Sequence, residues 1–519
     1  MERANLDRRD LLRLLGASAG IAAGSAVIGG RTAAGQDATP TTERAGNLLI
    51  GKAQEAVGLD PALVTAASSF QIIAPVYEQL VAFDAENQPY PELAAEWESP
   101  DDTTFIFHLR EGVTFHDGRP LTAADVKYSF DRILDPDLAS PWLTQFEPIE
   151  SIEVIDDRTV QLNLSQPYGP LLATLGANYA AIVPADEAID LATTMVGTGP
   201  FALDTYTQDV ETALHANPEY WDDGLPRLAE LTYRIMPDEA SRLAAIRTGE
   251  INLTSLANPT AVSLASREEG VQVVSQETTD YYLLGFNTQL APLDDVRVRQ
   301  AISLAVDRQA LRDAVFFGEG SMTGPIVPTL GDWAVPVDQL PFATADPARA
   351  MELLTEAGLE SGFELSIMAS PLYPEFISIA LVLQSQLQAA GITVVLDQVE
   401  WGTFIERWLD RNFTSFVSFN GSGNDPDRAL YPAFYTGGSV NAFQFSDPEV
   451  DRLLDEARFT FDVEQRREVY HQIEELVAEA APALFLSTRM AYFALGTNVQ
   501  GFAPTPVDTW DTLKRMTLA

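Results

Sequence analysis

The sequence predicts an α/β fold of several domains, and three observations carry that expectation. The chain has 519 residues with 46% apolar content, enough by length for about three domains with large cores. From residue 346 onward, segments of helical and strand period alternate, the pattern of helices packed on a sheet. Third, no run of 18 uninterrupted apolar residues follows the first few dozen positions, so the body of the chain reads as water-soluble rather than membrane-spanning.

Charge narrows the function. There are 75 acidic and 32 basic residues, a net charge of −43, and the lysines are Lys52, Lys127 and Lys514 alone. A surface this acidic repels nucleic acid and anionic lipid, so no nucleic-acid partner is expected. Cysteine is absent, which removes disulfides, thiol nucleophiles and thiolate metal sites.

The elements follow in chain order. Arg8-Arg9 precede a Gly-, Ala- and Ser-rich stretch from Leu11 to Gly30, and Thr32-Ala33-Ala34 offers a small-residue cleavage site. Residues 1–35 therefore read as a twin-arginine-type export signal, with an ordinary secretory signal as the alternative. Residues 36–46 read as a polar linker. Asn47 to Ile50 is a short strand, Leu59-Asp60-Pro61 a loop, and Phe70 to Leu80 an apolar helical stretch. Phe105, Phe107 and Leu109 alternate with polar neighbours as a strand. Asp117-Gly118 is a turn, and Thr122 with Asp125 is a helix-start signal ahead of Val126, Phe130, Ile133 and Leu134 on one face. Residues 152–164 read as a hairpin around Asp156-Asp157.

Further on, residues 219–253 read as strand, helix and strand. Asp294 or Asp295 caps a helix whose stripe is Val298, Ala301, Ile302 and Ala305. Asp346-Pro347 starts a helix that Gly358 ends. Strands are expected at 363–369, 392–399 and 414–419, a helix at 375–390, and a second Asp-Pro helix start at Asp447-Pro448.

Residues 94–132 add specific words to this pattern: W-x-S-x-D, then F-x-F-x-L-R-x-x-V-x-F-H-D-G-x-P-x-T-A-x-D-V-x-x-S-x-x-R. Together with Gly197-Thr198-Gly199-Pro200-Phe201, the E-Y-W of residues 219–221 and P-x-x-D-x-R-V-R-x-A from Pro292, they resemble the family 5 extracellular solute-binding proteins. These are the dipeptide-, oligopeptide- and nickel-binding receptors that feed ABC importers. The resemblance runs from about residue 47 to about residue 500. It implies a type II, two-lobed periplasmic-binding-protein-like fold in its large three-domain form, with a hinge between lobes. Lobe 1 would be discontinuous, 47–82 with 196–279 and 496–519, with a signature-bearing subdomain inserted at 83–195. Lobe 2 would be 280–495. Many relatives are tethered through a cysteine, and this chain has none, so a cysteine-anchored lipoprotein is not expected.

The same resemblance implies a solute held between the lobes. Trp401 follows a strand where relatives often place a ligand-facing aromatic, and it is equally a core candidate. Ser418 to Pro426 matches the strand on which peptide-binding relatives pair the ligand backbone, which points to Ser418, Asn420, Ser422 and Asp425. Ser69, Phe70 and Asn287 are assigned to the same site. In peptide-binding relatives the first acid of a D-x-x-[DE]-P pattern meets the peptide's amino terminus, and aligned on Asp425-Pro426 that position is Ser422. An unpaired buried ammonium costs about 3–5 kcal/mol, so a free peptide amine is disfavoured there unless Asp425 or Asp427 substitutes. Both acids also suit turn and cap chemistry.

No enzyme signature competes. The histidines are His108, His116, His215 and His471, none at metal-ligand spacing from another. The one G-x-S-x-G string, Gly16 to Gly20, lies in the export signal. The expectation is therefore a non-enzymatic, cofactor-free, monomeric receptor for a peptide or other large solute, delivering it to an ABC permease and ATPase complex outside the cytoplasm. An oligosaccharide receptor is the first alternative; a secreted hydrolase or a sensor comes after it.

Overall fold

The computed structural model describes residues 44–257, 259–507 and 510–519; the export signal and residues 36–43 of the linker lie outside them. The first strand is β1 (Asn47–Lys52). A short hairpin, β2 (Val81–Phe83) and β3 (Pro89–Pro91), leads into β4 (Ala94–Asp101), β5 (Thr104–Leu109), β6 (Ile149–Asp156) and β7 (Thr159–Leu164). These last four form one antiparallel sheet in the order β4-β5-β7-β6. Then come β8 (Phe201–Thr207), β9 (Glu211–Ala216), β10 (Glu230–Ile235), β11 (Leu253–Leu256) and the long β12 (Val271–Phe286). The second half holds β13 (Phe363–Ala369), β14 (Ile392–Gln398), β15 (Ser415–Gly421) and β16 (Ala483–Gly496), with a closing pair of β17 (Val499–Gln500) and β18 (Thr517–Leu518).

The largest sheet has ten strands in the order β14-β13-β15-β12-β16-β11-β1-β10-β9-β8. The 16 residues of β12 span roughly 50 Å at the usual rise per residue, long enough to serve two sets of neighbours. Val271–Glu277 pairs with residues 490–496 of β16, and Tyr281–Gly285 with residues 483–488, with register shifts between Glu277/Tyr281 and Tyr282/Leu283. Strands β11, β1, β10, β9 and β8 lie on one side of this pair, and β15, β13 and β14 on the other. So β12 and β16 belong to both lobes, and the irregularity between their two paired stretches marks where one lobe meets the next.

Separate hydrophobic cores lie along this sheet and its neighbour. One gathers Leu48, Ile72, Phe201, Tyr233, Phe493 and Trp510, residues far apart in sequence. A second, around Phe105, Phe107, Val126, Phe130, Val160 and Leu162, belongs to the four-stranded sheet and its helix Ala123–Leu134. The other lobe packs Ile302, Leu365, Ile367, Ile379, Leu383 and Val417 together. The strands 363–369, 392–398 and 415–421, and the helices started by Asp346 and Asp447, fall within a residue or two of their predicted places. Asp295 rather than Asp294 caps its helix, accepting from Arg297 N at 2.9 Å. The helix predicted from Phe70 to Leu80 is shorter, Ala67–Ile73. Pro75 has no N–H and cannot continue an α-helix, and the N–H groups of Val76 and Tyr77 turn back to the Ile73 carbonyl instead.

The signature words are explained by packing. Asp125 Oδ2 accepts from both the backbone N–H and the hydroxyl of Thr122, at 2.8 and 2.7 Å, while its Oδ1 accepts from Ala185 N at 2.8 Å. The helix start is thereby tied to a strand of chain 60 residues on. Gly197 packs against the turn after the first helix: a Cβ there would stand 2.0 Å from the Val76 carbonyl oxygen. Glu78, buried, accepts from Thr198 Oγ1 at 2.8 Å, from Tyr220 OH at 2.7 Å and from Trp221 Nε1. Burial, and then Glu92 beside it, push Glu78 up to about 8 although Lys514 opposes the shift.

His116 joins the signature turn to Gly197 and Gly199. Its backbone N–H donates to Gly197 O at 2.9 Å, its Nδ1 accepts from Gly197 N at 3.3 Å, and its Nε2 meets Gly199 O at 2.9 Å. A ring that accepts at Nδ1 and donates at Nε2 is neutral. Burial lowers its pKa from 6.5 to about 4, the Gly199 bond only partly opposing. Between about pH 6.5 and 4 the unfolded chain therefore binds the proton and the folded one does not, so this group's contribution is lost as pH falls through that window. His116→Asn should lower the urea midpoint at pH 7 and narrow the gap between the midpoints at pH 7 and pH 4.5. An unchanged gap would show that the histidine is not held neutral.

Candidate functional site

The site begins with an edge. β15 pairs with β12 along its whole length, from Phe286↔Ser415 to Asp280↔Gly421. On its other side β13 pairs only at Ile367↔Ser415 and Met368↔Phe416. In register the next strand positions of β13 lead to Ser370 and Pro371, and a proline has no N–H for the ladder. Past Phe416, then, β15 has one neighbouring strand among the described residues and its second edge is open. Such an edge is a template for an added extended chain.

Beside that edge lies a cavity of about 220 Å³. An apolar cavity of about 150 Å³ is large enough to hold benzene, so this one has room for a large side chain or ring. Its wall is mainly one face of the helix Trp401–Leu409, with Trp401, Phe404, Ile405 and Trp408 at i, i+3, i+4 and i+7. Glu400 caps that helix by accepting from Gly402 N at 2.8 Å. Ser418 and Asn420 of β15, which share a strand face with Phe416, complete the wall. Asn420 Nδ2 donates to Tyr281 OH at 3.3 Å and Oδ1 accepts from Gly421 N at 2.9 Å. Trp401 is both core and wall: it stacks on Phe404 at 5.2 Å, meets Tyr373 edge-on at 5.0 Å and stays half-buried.

A charged end adjoins the aromatic one. Arg489 Nη1 lies 3.3 Å from Asp280 Oδ2, with side-chain exposures of 38% and 31%. The guanidinium also sits 4.9 Å from the Phe419 ring centroid, a cation over an aromatic face. Burial raises the Asp280 pKa, and Arg489 and then Arg428 pull it back without cancelling the shift. Burial works against the charge of Arg489 too, but Tyr282, Asp280 and Glu375 outweigh it and hold the guanidinium protonated.

The two lobes touch around this place. Asn87 Nδ2 donates to Asn424 O at 2.8 Å, Gly169 N donates to Arg458 O at 2.9 Å, and the Arg428 guanidinium lies over the Trp142 and Tyr179 rings at 5.8 and 6.0 Å.

Of the residues expected from sequence, Trp401, Ser418 and Asn420 come together on the cavity wall. Ser422 follows at the strand end, 1% exposed, its Oγ without a hydrogen-bond partner among the described residues. The others need correction. Asp425 is not open to a solute: both its oxygens are taken by Arg466 at 2.9 Å. Asp427 is equally committed, to Arg458 at 3.0 and 2.6 Å, so neither acid replaces the one missing at Ser422. Ser69 is fully buried and its Oγ accepts from Val57 N at 3.0 Å, holding a loop. Phe70 packs between two hydrophobic cores of the first lobe. Asn287 is buried at the opposite end of β15, donating to Arg411 O and Phe413 O and accepting from Gln289 and Gln444. Sequence reasoning missed Phe404, Ile405 and Trp408, although their helical spacing from Trp401 was a readable signal. It also missed Asp280 and Arg489, which carry no motif. Among the described residues no group of three or more His, Asp or Glu is placed to hold a metal ion. No helix there is long and apolar enough to cross a membrane.

With this geometry in view, comparison with known proteins is specific. The profile of the bacterial extracellular solute-binding proteins, family 5 (middle region), matches residues 88–441, and the chain belongs to that family. It is 30% identical to heme-binding protein A of Haemophilus influenzae, across 88% of this chain and 89% of that one. It is also 30% identical to the dipeptide-binding protein of Escherichia coli, across 87% and 90%. The solved ABC transporter-associated periplasmic binding protein DppA of Helicobacter pylori, in complex with the peptide STSA, superposes with a TM-score of 0.78 at 26% identity, across 92% of this chain and 99% of that one. The two-lobed type II binding-protein fold and the solute-binding role are thus those of this chain.

The buried pairs under the site are testable. Replacing one partner of a buried ion pair costs about 3–5 kcal/mol because the other is left uncompensated. Asp425→Ala should therefore lower the urea midpoint sharply, and Asp425→Ala with Arg466→Met should recover part of the loss. Equal midpoints for Asp425→Ala and the unaltered protein would mean that the pair is solvated.

Proposed function

We propose that this protein is an extracytoplasmic receptor that captures a peptide or similarly extended solute between its lobes and hands it to an ABC permease and ATPase complex. The open edge of β15 past Phe416, set beside the apolar cavity, is the observation that carries this reading. A peptide laid along the edge gains backbone hydrogen bonds, and one apolar side chain fills the cavity. Residues 47–82, 196–279 and about 490–519, with the insert 83–195, act as one lobe and about 280–489 as the other, because residues 490–496 of β16 pair with the first-lobe strands and move the boundary back from 495. A solute that touches both lobes favours the closed arrangement, since only differential contact shifts such an equilibrium. The Escherichia coli relative is a dipeptide-binding protein and the Helicobacter pylori one was solved with a peptide, which supports the solute class.

The receptor works as a monomer, without cofactor or catalytic step, and releases its solute unchanged. It is exported by the twin-arginine-type leader read at residues 1–35 and is not held by a lipidated cysteine. A second reading, an oligosaccharide or other non-peptide solute, is favoured by the aromatic wall of Trp401 and Trp408, which suits stacking of ring faces.

Thermal melting against three pools separates these readings: free peptides of two to six residues, the same peptides N-acetylated, and oligosaccharides. A ligand at a hundred times its Kd adds about 2.7 kcal/mol to the bound state. A rise in melting temperature with either peptide pool, and none with sugars, is expected. A rise with sugars alone would replace the peptide reading by the second one.

A further inference from the structure

The cleft end of β15 carries a carboxylate that the aromatic cavity does not use. Asp280 stands across from Gly421 in the β12–β15 register. A Cβ at position 421 would lie 2.4 Å from Asp280 Oδ1, so glycine is what allows the carboxylate to rest over the strand end. Asp280 Oδ2 takes one long hydrogen bond, from Arg489 at 3.3 Å, and Oδ1 accepts none among the described residues. A carboxylate has about four lone-pair sites, so most of its acceptor capacity is open to the cleft.

Ser422, the next residue, adds an independent observation. Its backbone N–H donates to Thr279 O at 3.1 Å, which fixes it beside Asp280. The side chain is buried and Oγ has no hydrogen-bond partner among the described residues, and a buried polar group left without a partner is destabilising. The strand between them and Phe416 offers the carbonyl groups of an open edge. Carboxylate, hydroxyl and carbonyl can all accept, and a cationic group such as a protonated amine, with several donors and no acceptor, complements such a set. The other acids of this loop are excluded, because Asp425 and Asp427 are spent on Arg466 and Arg458.

Resting on the peptide reading, we propose that Asp280 receives a positively charged amine of the solute, assisted by Ser422 Oγ. The recognition carboxylate then sits on β12 instead of on the loop after β15. Arg489 holds Asp280 in place from the other side, at 3.3 Å. Arg428, which has no carboxylate at ion-pair distance among the described residues, stands nearby over Trp142 and Tyr179 and provides the rival outcome, capture of an anionic head.

Calorimetric titration of the whole protein tests this with triphenylalanine, N-acetyl-triphenylalanine, an N-acetylated tripeptide carrying one lysine, and succinylated triphenylalanine. The unaltered protein should bind the free tripeptide at least tenfold tighter than the acetylated one, a comparison that needs no variant. Binding of the lysine peptide as tightly as the free one would assign the pocket to any primary amine; weaker binding would assign it to the amino terminus. Asp280→Asn should remove the preference, and Ser422→Asp added to it should restore it. Equal weakening of free and acetylated peptides by Asp280→Asn would reduce Asp280 to a structural partner of Arg489 and overturn the proposal, as would tightest binding of the succinylated peptide. If no peptide binds the unaltered protein, the peptide reading itself fails and Asp280 loses this role with it.

Discussion

Everything in this molecule depends on two long strands pairing twice. β12 and β16 make one ladder in each lobe, and between the ladders the register breaks at Thr278 to Asp280. The break is satisfied locally: Thr278 Oγ1 donates to Arg489 O at 3.0 Å, Asp280 N donates to Thr278 Oγ1 at 3.2 Å, and Thr279 N donates to Pro506 O at 2.8 Å. A bulge bends its strand and re-aims the side chains that follow. Here it puts Asp280 and Arg489, one from each strand, at the mouth of the cleft. The contacts that join the lobes elsewhere are scattered: a hydrogen bond from Asn87 to Asn424, Arg428 and Arg458 over rings of the first lobe, and one ring pair, Phe105 with Phe461. Such an interface separates more readily than a packed core, which leaves the two shared strands as the place where a hinge motion concentrates.

Arginine does unusual work in so acidic a chain. Arg299 donates to the carbonyls of Leu293 and Ala480, and Arg308 to those of Phe485 and Ala343. Both are buried, where burial lowers the pKa of each without a carboxylate bonded to it. They tie helix ends to β16 and to loops around it. Asp425–Arg466 and Asp427–Arg458 do the same beneath the binding edge, with Arg458 also resting 3.5 Å from the Tyr431 ring centroid. The planar, multi-donor guanidinium suits these tasks where an ammonium would not, in keeping with a chain that carries almost all its positive charge as arginine.

The family words in the sequence were legible as words before their purpose was. Arg299 belongs to the R-V-R motif, His116 to F-H-D-G, Thr198 to G-T-G-P, and Trp221 to E-Y-W. Each proves to hold backbone or a buried partner. That is why a motif-led reading found the fold well and the site less well. Ser69 and Asn287 were drawn into the expected site by the same logic, and the structure spends both on backbone hydrogen bonds. Trp401, Ser418 and Asn420 come together on one cavity wall, Ser418 and Asn420 because the two-residue period of a strand turns both to the same side.

By itself the sequence determined the element order, the capped helix starts and the absence of any acid at position 422. These are local matters of period, cap and turn, each decided within a few residues. Tertiary structure alone decided which charges were free. Whether Asp425 meets a solute depends on Arg466, 41 residues away, and whether Asp280 stands open depends on Gly421 and Arg489, each more than 140 residues away. Charge pairing is a short-range interaction between groups that only the folded chain brings within a few ångströms, so no spacing along the sequence could have announced it.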